Sequence, residues 1–84
     1  MALALFVVVY ACATGTGICI ESHFRLSNKL QAASIEQCNV AFQKFPPIEN
    51  ASEMHSYCQY EKEGPNYRLI FNSDNNTTNY ELSH

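Results

Sequence analysis

The run Met1-Ala2-Leu3-Ala4-Leu5-Phe6-Val7-Val8-Val9-Tyr10-Ala11-Cys12-Ala13 carries no charge, and the small-residue stretch Thr14-Gly15-Thr16-Gly17 follows it. How these residues are read decides what is left to build a fold. Leu3 to Ala11 has the length and apolarity of a signal-peptide core, and the pairs Ala11/Ala13, Ala13/Gly15 and Gly15/Gly17 offer cleavage frames. The run reads as a secretory signal peptide over residues 1–17, cleaved between 13 and 17. Its n-region, Met1-Ala2, adds no Lys or Arg to the terminal amine. The rival reading is a retained membrane anchor, because Met1 to Ile20 is free of charge and about 20 apolar residues span a bilayer. The second half of that run is rich in Thr and Gly and has no basic flank, which favours the leader.

A secretory leader changes the meaning of the cysteines, because disulfides persist outside the reducing cytosol. Cys12 leaves with the leader, so Cys19, Cys38 and Cys58 remain, an odd number. The leftover thiol points to a disulfide-linked homodimer, a free thiol or a chain that lacks its fourth partner. The charge is five Lys and Arg against eight Asp and Glu, net -3, with no basic cluster, a pattern that argues against nucleic acid or an anionic membrane surface as partner. The remaining chain of about 70 residues makes one domain at most, and a core of that size needs a staple. A native bridge in such a domain contributes about 2–5 kcal/mol.

The middle of the chain reads as helical. No Pro or Gly occurs from Glu21 to Phe45, and the apolar stripe changes phase: Leu26, Leu30 and Ala33 share one face, while Ile35, Cys38, Phe42 and Phe45 share another. Ser34 with Gln37 fits a capping box, so a second helix starts near Ile35 and ends at Pro46-Pro47. A third helix is expected from the capping residue Asn50, with Met54, Tyr57 and Cys58 on one face, stopped by Gly64-Pro65. Cys38 and Cys58 then face each other on consecutive helices and are the favoured bridge, with Cys19–Cys38 as the main alternative. Tyr67 to Phe71 is a short β-prone run expected to lie as a strap across the helices, and the Asn, Ser, Thr and Asp of 72–84 read as a disordered tail. The expected fold is mainly α: a two- to three-helix, disulfide-stapled domain over 18–71 with a flexible tail over 72–84.

Three sequons, at Asn50, Asn75 and Asn76, are candidate N-glycosylation sites, the last two overlapping. Cys19 with His23 and His55 with Cys58 together offer a Cys2His2 set of the kind zinc accepts, in a spacing unlike that of a finger. Cys38 with His55 lacks any motif of a nucleophile and its base. Tyr57, Tyr60, Tyr67 and Phe71 read first as core and second as a binding surface, and Glu61-Lys62-Glu63 as a solvated helix end. No catalytic residue, cofactor or resident metal is expected from this pattern.

The stretch Cys38-x3-Phe42-x2-Phe45-Pro46-Pro47, followed by Glu53-Met54-x2-Tyr57-Cys58-x-Tyr60, resembles the small helical cysteine domains of secreted invertebrate proteins, notably the DUF19 (T20D4.11-like) group of nematodes. The resemblance implies a secreted α-helical domain without established catalytic function, in which one helix leads through a Pro-containing loop to a second whose Tyr-Cys is bridged back. That family carries further cysteines beyond this point, and none follows Cys58, which reads as a truncated fragment of a larger protein. The function expected is that of a small secreted glycoprotein, non-enzymatic, binding an extracellular protein or ligand. The alternatives are a membrane-anchored or disulfide-linked dimeric interaction protein and a zinc-binding protein.

Overall fold

A computed structural model of the chain describes residues 2–42 and 51–82, the first three of the second segment as backbone only. The opening run is rich in β-branched and aromatic residues, which fit a pleated surface. Leu3–Ala13 forms strand β1, and Ile18–Arg25 turns back on it as β2. A short 3-10 helix at Leu30–Ala32 leads to the helix α1 at Ile35–Phe42. Three strands follow: β3 at Ala51–Lys62, β4 at Tyr67–Asn72 and β5 at Thr77–Leu82. The five strands make one antiparallel sheet in the order β3-β1-β2-β4-β5.

The mainly helical expectation is therefore overturned. The residues read as a first helix form β2 and the 3-10 turn, and those read as a third helix form β3. Both strands pair with β1, whose apolar residues face both ways, so tertiary pairing outweighs the modest helix preference of Glu, Gln and Lys. The period of two was hard to see because each face of β3 mixes polar and apolar residues: Met54, Ser56, Cys58 and Tyr60 on one, His55, Tyr57, Gln59 and Glu61 on the other. The Tyr67 to Phe71 run is not a strap over helices but lies within β4 in the sheet. The expected disordered tail contains a hairpin, its polar residues 73–76 forming the turn to β5, with Asn76 at φ 51°. The second helix does start at Ile35, and its capping box is formed: Gln37 N–H donates to Ser34 Oγ, and Ser34 N–H donates to Gln37 Oε1, both at 3.1 Å.

β1 carries a core on each side. Leu5 and Val7 pack with Leu26, Cys38 and Cys58 under α1, with Val9, Ile35 and Phe42 around them. Ala4, Phe6 and Val8 point to the opposite face and are also buried. Two bridges reinforce this: Cys12–Cys19 joins opposed residues of the β1–β2 hairpin, and Cys38–Cys58 ties α1 to β3. Asn39 Oδ1 accepts the Cys58 N–H at 2.7 Å, and Ser56 Oγ donates to the Phe42 carbonyl at 3.1 Å, so the same contact is hydrogen-bonded as well as bridged. All four cysteines are paired, and an odd thiol arises only in a chain that has lost Cys12. Cleavage between 13 and 17 would remove β1, so the fold described belongs to a chain that retains residues 3–13. Among the described residues, no helix is long and apolar enough to cross a membrane.

The link at 63–66 runs from β3 at one edge past the ends of β1 and β2 to β4. It is held on the way, because Glu63 N–H donates to the Ala2 carbonyl at 3.2 Å and Arg25 N–H to Asn66 Oδ1 at 2.7 Å. At the other end of the sheet, the turns at 14–17 and 73–76 meet: Ser73 N–H donates to the Gly17 carbonyl at 2.9 Å. Gly17 has φ 69°, and a methyl there would stand 2.7 Å from Ser73 Oγ, whereas Gly15 has φ 75° and open space. Gly15→Ala should cost about 1 kcal/mol for the backbone alone, and Gly17→Ala clearly more, about 2 kcal/mol or above. Urea unfolding of the oxidised chain checks this; equal losses would mean that the two turns do not support each other.

Candidate functional site

The sheet face turned away from α1 carries His23, the buried polar residue among those described, and the half-buried polar side chains around it. The strand register sets them in rows. Tyr57, Val8, His23, Tyr67 and Leu82 form one row across β3, β1, β2, β4 and β5. His55, Tyr10, Glu21, Leu69 and Tyr80 form the next, and Gln59, Phe6 and Arg25 lie on the other side, with Glu61 opposite Ala4 beyond them. Twist and coil draw this face in on itself. Phe6 and Val8 are fully buried although they point away from α1, and Glu61 on β3 reaches His23 on β2 with β1 in between. Ala4 opposite Glu61 has only a methyl group, which leaves room for that crossing.

A single network results. Glu61 accepts from Tyr67 Oη at 2.6 Å and from Gln59 Nε2 at 2.9 Å, and lies 2.5 Å from His23 Nδ1. The His23 and Tyr67 rings stack with centroids 4.3 Å apart, and Tyr80 tilts against Tyr67 at 5.4 Å. Burial pushes the Glu61 carboxyl up, but the hydrogen bonds from Gln59, Tyr67 and His23 outweigh it and hold the group below its ordinary range. The phenol of Tyr67 is pushed well above its ordinary range, first by burial and then by its bond to Glu61. Tyr57 is also raised, by burial and then by the charge of Glu21, whose Oε1 is 3.5 Å from its hydroxyl. The other face of His23 meets Glu21, with Nε2 3.6 Å from Oε1.

His23 is the buried charged or polar residue of this core, 5% exposed, and its Nε2 makes no hydrogen bond among the described residues. An ionised Glu61 has no proton to give, so Nδ1 carries the hydrogen that bonds it. Two carboxylates flank one imidazole, which leaves the network anionic whether or not the ring is protonated. Arg25, on the same face, is committed elsewhere, to Glu63, Asn28 Oδ1 and the Leu26 carbonyl.

The residues singled out in the sequence are distributed differently from the expectation. Cys19 and Cys58 are disulfide-bonded, to Cys12 and Cys38, and offer no thiolate to zinc beside His23 and His55; Cys38 is likewise no nucleophile. Among the described residues, no group of three or more His, Cys, Asp or Glu is placed to hold a metal ion. Asn75 and Asn76 are exposed in the β4–β5 turn, and Asn50 lies outside the described residues. Of the aromatic set, Tyr57, Tyr67 and Phe71 share the drawn-in face, while Tyr60 lies on the face of α1. Sequence reasoning missed Glu61, Glu21 and Gln59. The signal that finds Glu61 is alternation: with Cys58 in the core, His55, Tyr57, Gln59 and Glu61 fall together on the other face. Comparison of the chain with protein-family models, curated proteins and solved structures finds no match.

The pH dependence of stability follows from the two shifts. Glu61 is held below its ordinary value of 4.5, so its contribution is present above that pH and lost as pH falls through the folded value. Tyr67 is raised above its ordinary 10.0, so its contribution is present below that pH and lost as pH rises beyond it. Glu61→Gln should lower stability at neutral pH by about 1–3 kcal/mol and flatten the acid limb. Urea unfolding of both proteins between pH 3 and 7 is the check, about four pH units that bracket the carboxylate range. Parallel curves for the two proteins would show that Glu61 does not hold the network.

Proposed function

We propose that this chain is a secreted, non-enzymatic extracellular binding protein that receives its ligand on the drawn-in face of the sheet. The observation that carries the reading is the buried His23 ring, anchored through Nδ1 by Glu61 and facing Glu21 through Nε2 at 3.6 Å. Fold stability does not call for such an arrangement, because taking ionisable groups out of water costs free energy that their pairing returns only in part. A binding site does call for it, since a few convergent polar groups on an apolar floor give a ligand both orientation and apolar contact. The two disulfides support an oxidising compartment.

The leader reading and β1 compete for the same residues. A chain processed between 13 and 17 loses Cys12 and frees Cys19, and covalent dimerisation through that thiol is then the reading to prefer. Mass spectrometry of the protein recovered from culture medium decides. The binding reading expects residues 3–13 retained and two bridges reduced by dithiothreitol; recovery only from the cytosol with free thiols would overturn it.

Glycosylation at Asn75 accompanies this reading. Thr77 Oγ1 donates to Asn75 Oδ1 at 2.6 Å in an exposed turn, which pairs the hydroxyl and amide of that sequon, whereas Asn76 holds the left-handed position at φ 51°. Glycopeptide analysis should therefore find the tail glycan abolished by Asn75→Gln and kept in Asn76→Gln. The opposite result would assign the glycan to Asn76.

A further inference from the structure

We infer that the outer edge of β5 is a self-association surface, to which a second copy of this chain adds its own β5 antiparallel, joining the two sheets into one. A strand edge offers a row of unpaired N–H and C=O groups, and folds guard it with charge, a bulge or a covering helix. β3, at the opposite edge, has all three. Its register shifts beside Cys12 and Ala13 of β1, the exposed Lys62 charges its far end, and Asn39 of α1 takes its Cys58 N–H at 2.7 Å. β5 has none of these guards. All six residues of Thr77–Leu82 are exposed, and Glu81, the charged residue among them, is paired with Arg68 of the same sheet at 2.6 Å. Among the described residues, β4 is the partner that bonds the β5 backbone. Tyr80 and Leu82, 60% and 49% exposed, add apolar side chains to an edge already open for pairing.

The order of residues in β5 then selects the partner and the register. Two identical strands that pair antiparallel are related by a two-fold axis perpendicular to the sheet, so opposed residues point to the same face. The registers that keep most of the strand paired are therefore centred on Asn79, Tyr80 or Glu81. Centring on Glu81 sets two carboxylates directly opposite each other, which opposes association. Centring on Asn79 sets Leu82 against Asn76, a turn residue at φ 51° that lies outside the strand. Centring on Tyr80 sets Tyr80 against the partner's Tyr80, Thr78 against the partner's Leu82, and Asn79 against the partner's Glu81. An aromatic pair, an apolar contact and an amide-to-carboxylate hydrogen bond then coincide. A second copy thus supplies, in one register, a fitting neighbour for every residue from Thr78 to Leu82. Pairing of so short a strand buries little area, so the dimer is weak, with a dissociation constant on the order of 100 µM.

The test is sedimentation of the full oxidised chain from about 10 µM to about 1 mM, with nitrogen-15 amide spectra over the same range. The expected result is a reversible monomer–dimer equilibrium, with amide shifts that follow concentration at residues 77–82 and stay still along β3. Non-reducing gels should show monomer, because all four cysteines are bridged within the chain. Asn79→Glu brings like charge against the partner's Glu81 at two symmetric pairs and should weaken the dimer about tenfold, whereas Asn79→Lys should tighten it several-fold. Circular dichroism checks that both variants keep the sheet, and the spectra of the unaltered chain decide the edge whether or not they do. A chain that sediments as monomer at the highest concentration overturns the proposal, as do shifts gathered on β3 or a dimer lost on reduction. Weakening by both variants sets Asn79 against the partner's Asn79 and overturns the register centred on Tyr80.

Discussion

Pairing of β1 on both edges and burial of its two faces is the constraint on which the rest depends. Leu5 and Val7 hold α1 and the Cys38–Cys58 bridge on one side, and Ala4, Phe6 and Val8 floor the polar network on the other. Burying a Leu, Val or Phe side chain contributes about 1.5–3 kcal/mol, and among the described residues β1 is the strand that buries apolar side chains on both faces. A sheet without β1 would leave β3 with no partner and take Leu5 and Val7 out of the core under α1. Gln31 marks where that pairing ends, its amide bonded to both the N–H and the carbonyl of Leu5.

The functional geometry inherits its form from that floor. Side chains of β2 and β3 meet over β1, with Phe6 and Val8 as the floor and the small Ala4 opposite Glu61. The network is polar yet set on a hydrophobic base, so its hydrogen bonds act in a medium of lower dielectric than water. The three close bonds at Glu61 and the two longer contacts at Glu21 are two ends of one chain that passes through the His23 ring. That asymmetry gives the site a direction: one carboxylate positions the ring and the other faces solvent.

What the sequence made legible was local. Ser34 and Gln37 mark the start of α1 because a capping box is formed by residues three apart, and nothing distant decides it. Cys38 and Cys58 are bridged, though Cys58 sits on a strand and not on the expected helix. The β3 segment was misread because a strand between a cysteine core and a polar network shows no simple alternation of apolar and polar. For the same reason Glu61, Lys62 and Glu63 looked like one solvated run, while a strand sends neighbours to opposite faces: Glu61 goes inward, Lys62 and Glu63 stay exposed. The Asn-rich segment after β4 has the composition of a tail, yet the same residue types are those a hairpin turn needs. The site itself was hidden for a topological reason, since Glu21, His23, Glu61 and Tyr67 come from three strands whose register no local pattern specifies.

The link at 63–66 also bears on how the molecule assembles. β1 with β2 and β4 with β5 are hairpins whose partners are near in sequence, but β1 with β3 and β2 with β4 pair across most of the chain. A link of so few residues lets β3 and β4 dock on opposite sides of the β1–β2 hairpin only when that hairpin already stands between them. Closing those distant pairs loses chain entropy before any contact rewards it, which is the circumstance that slows folding and exposes strand edges. The Cys12–Cys19 bridge, sealed within the first hairpin, acts as a latch on the template around which the later strands must close.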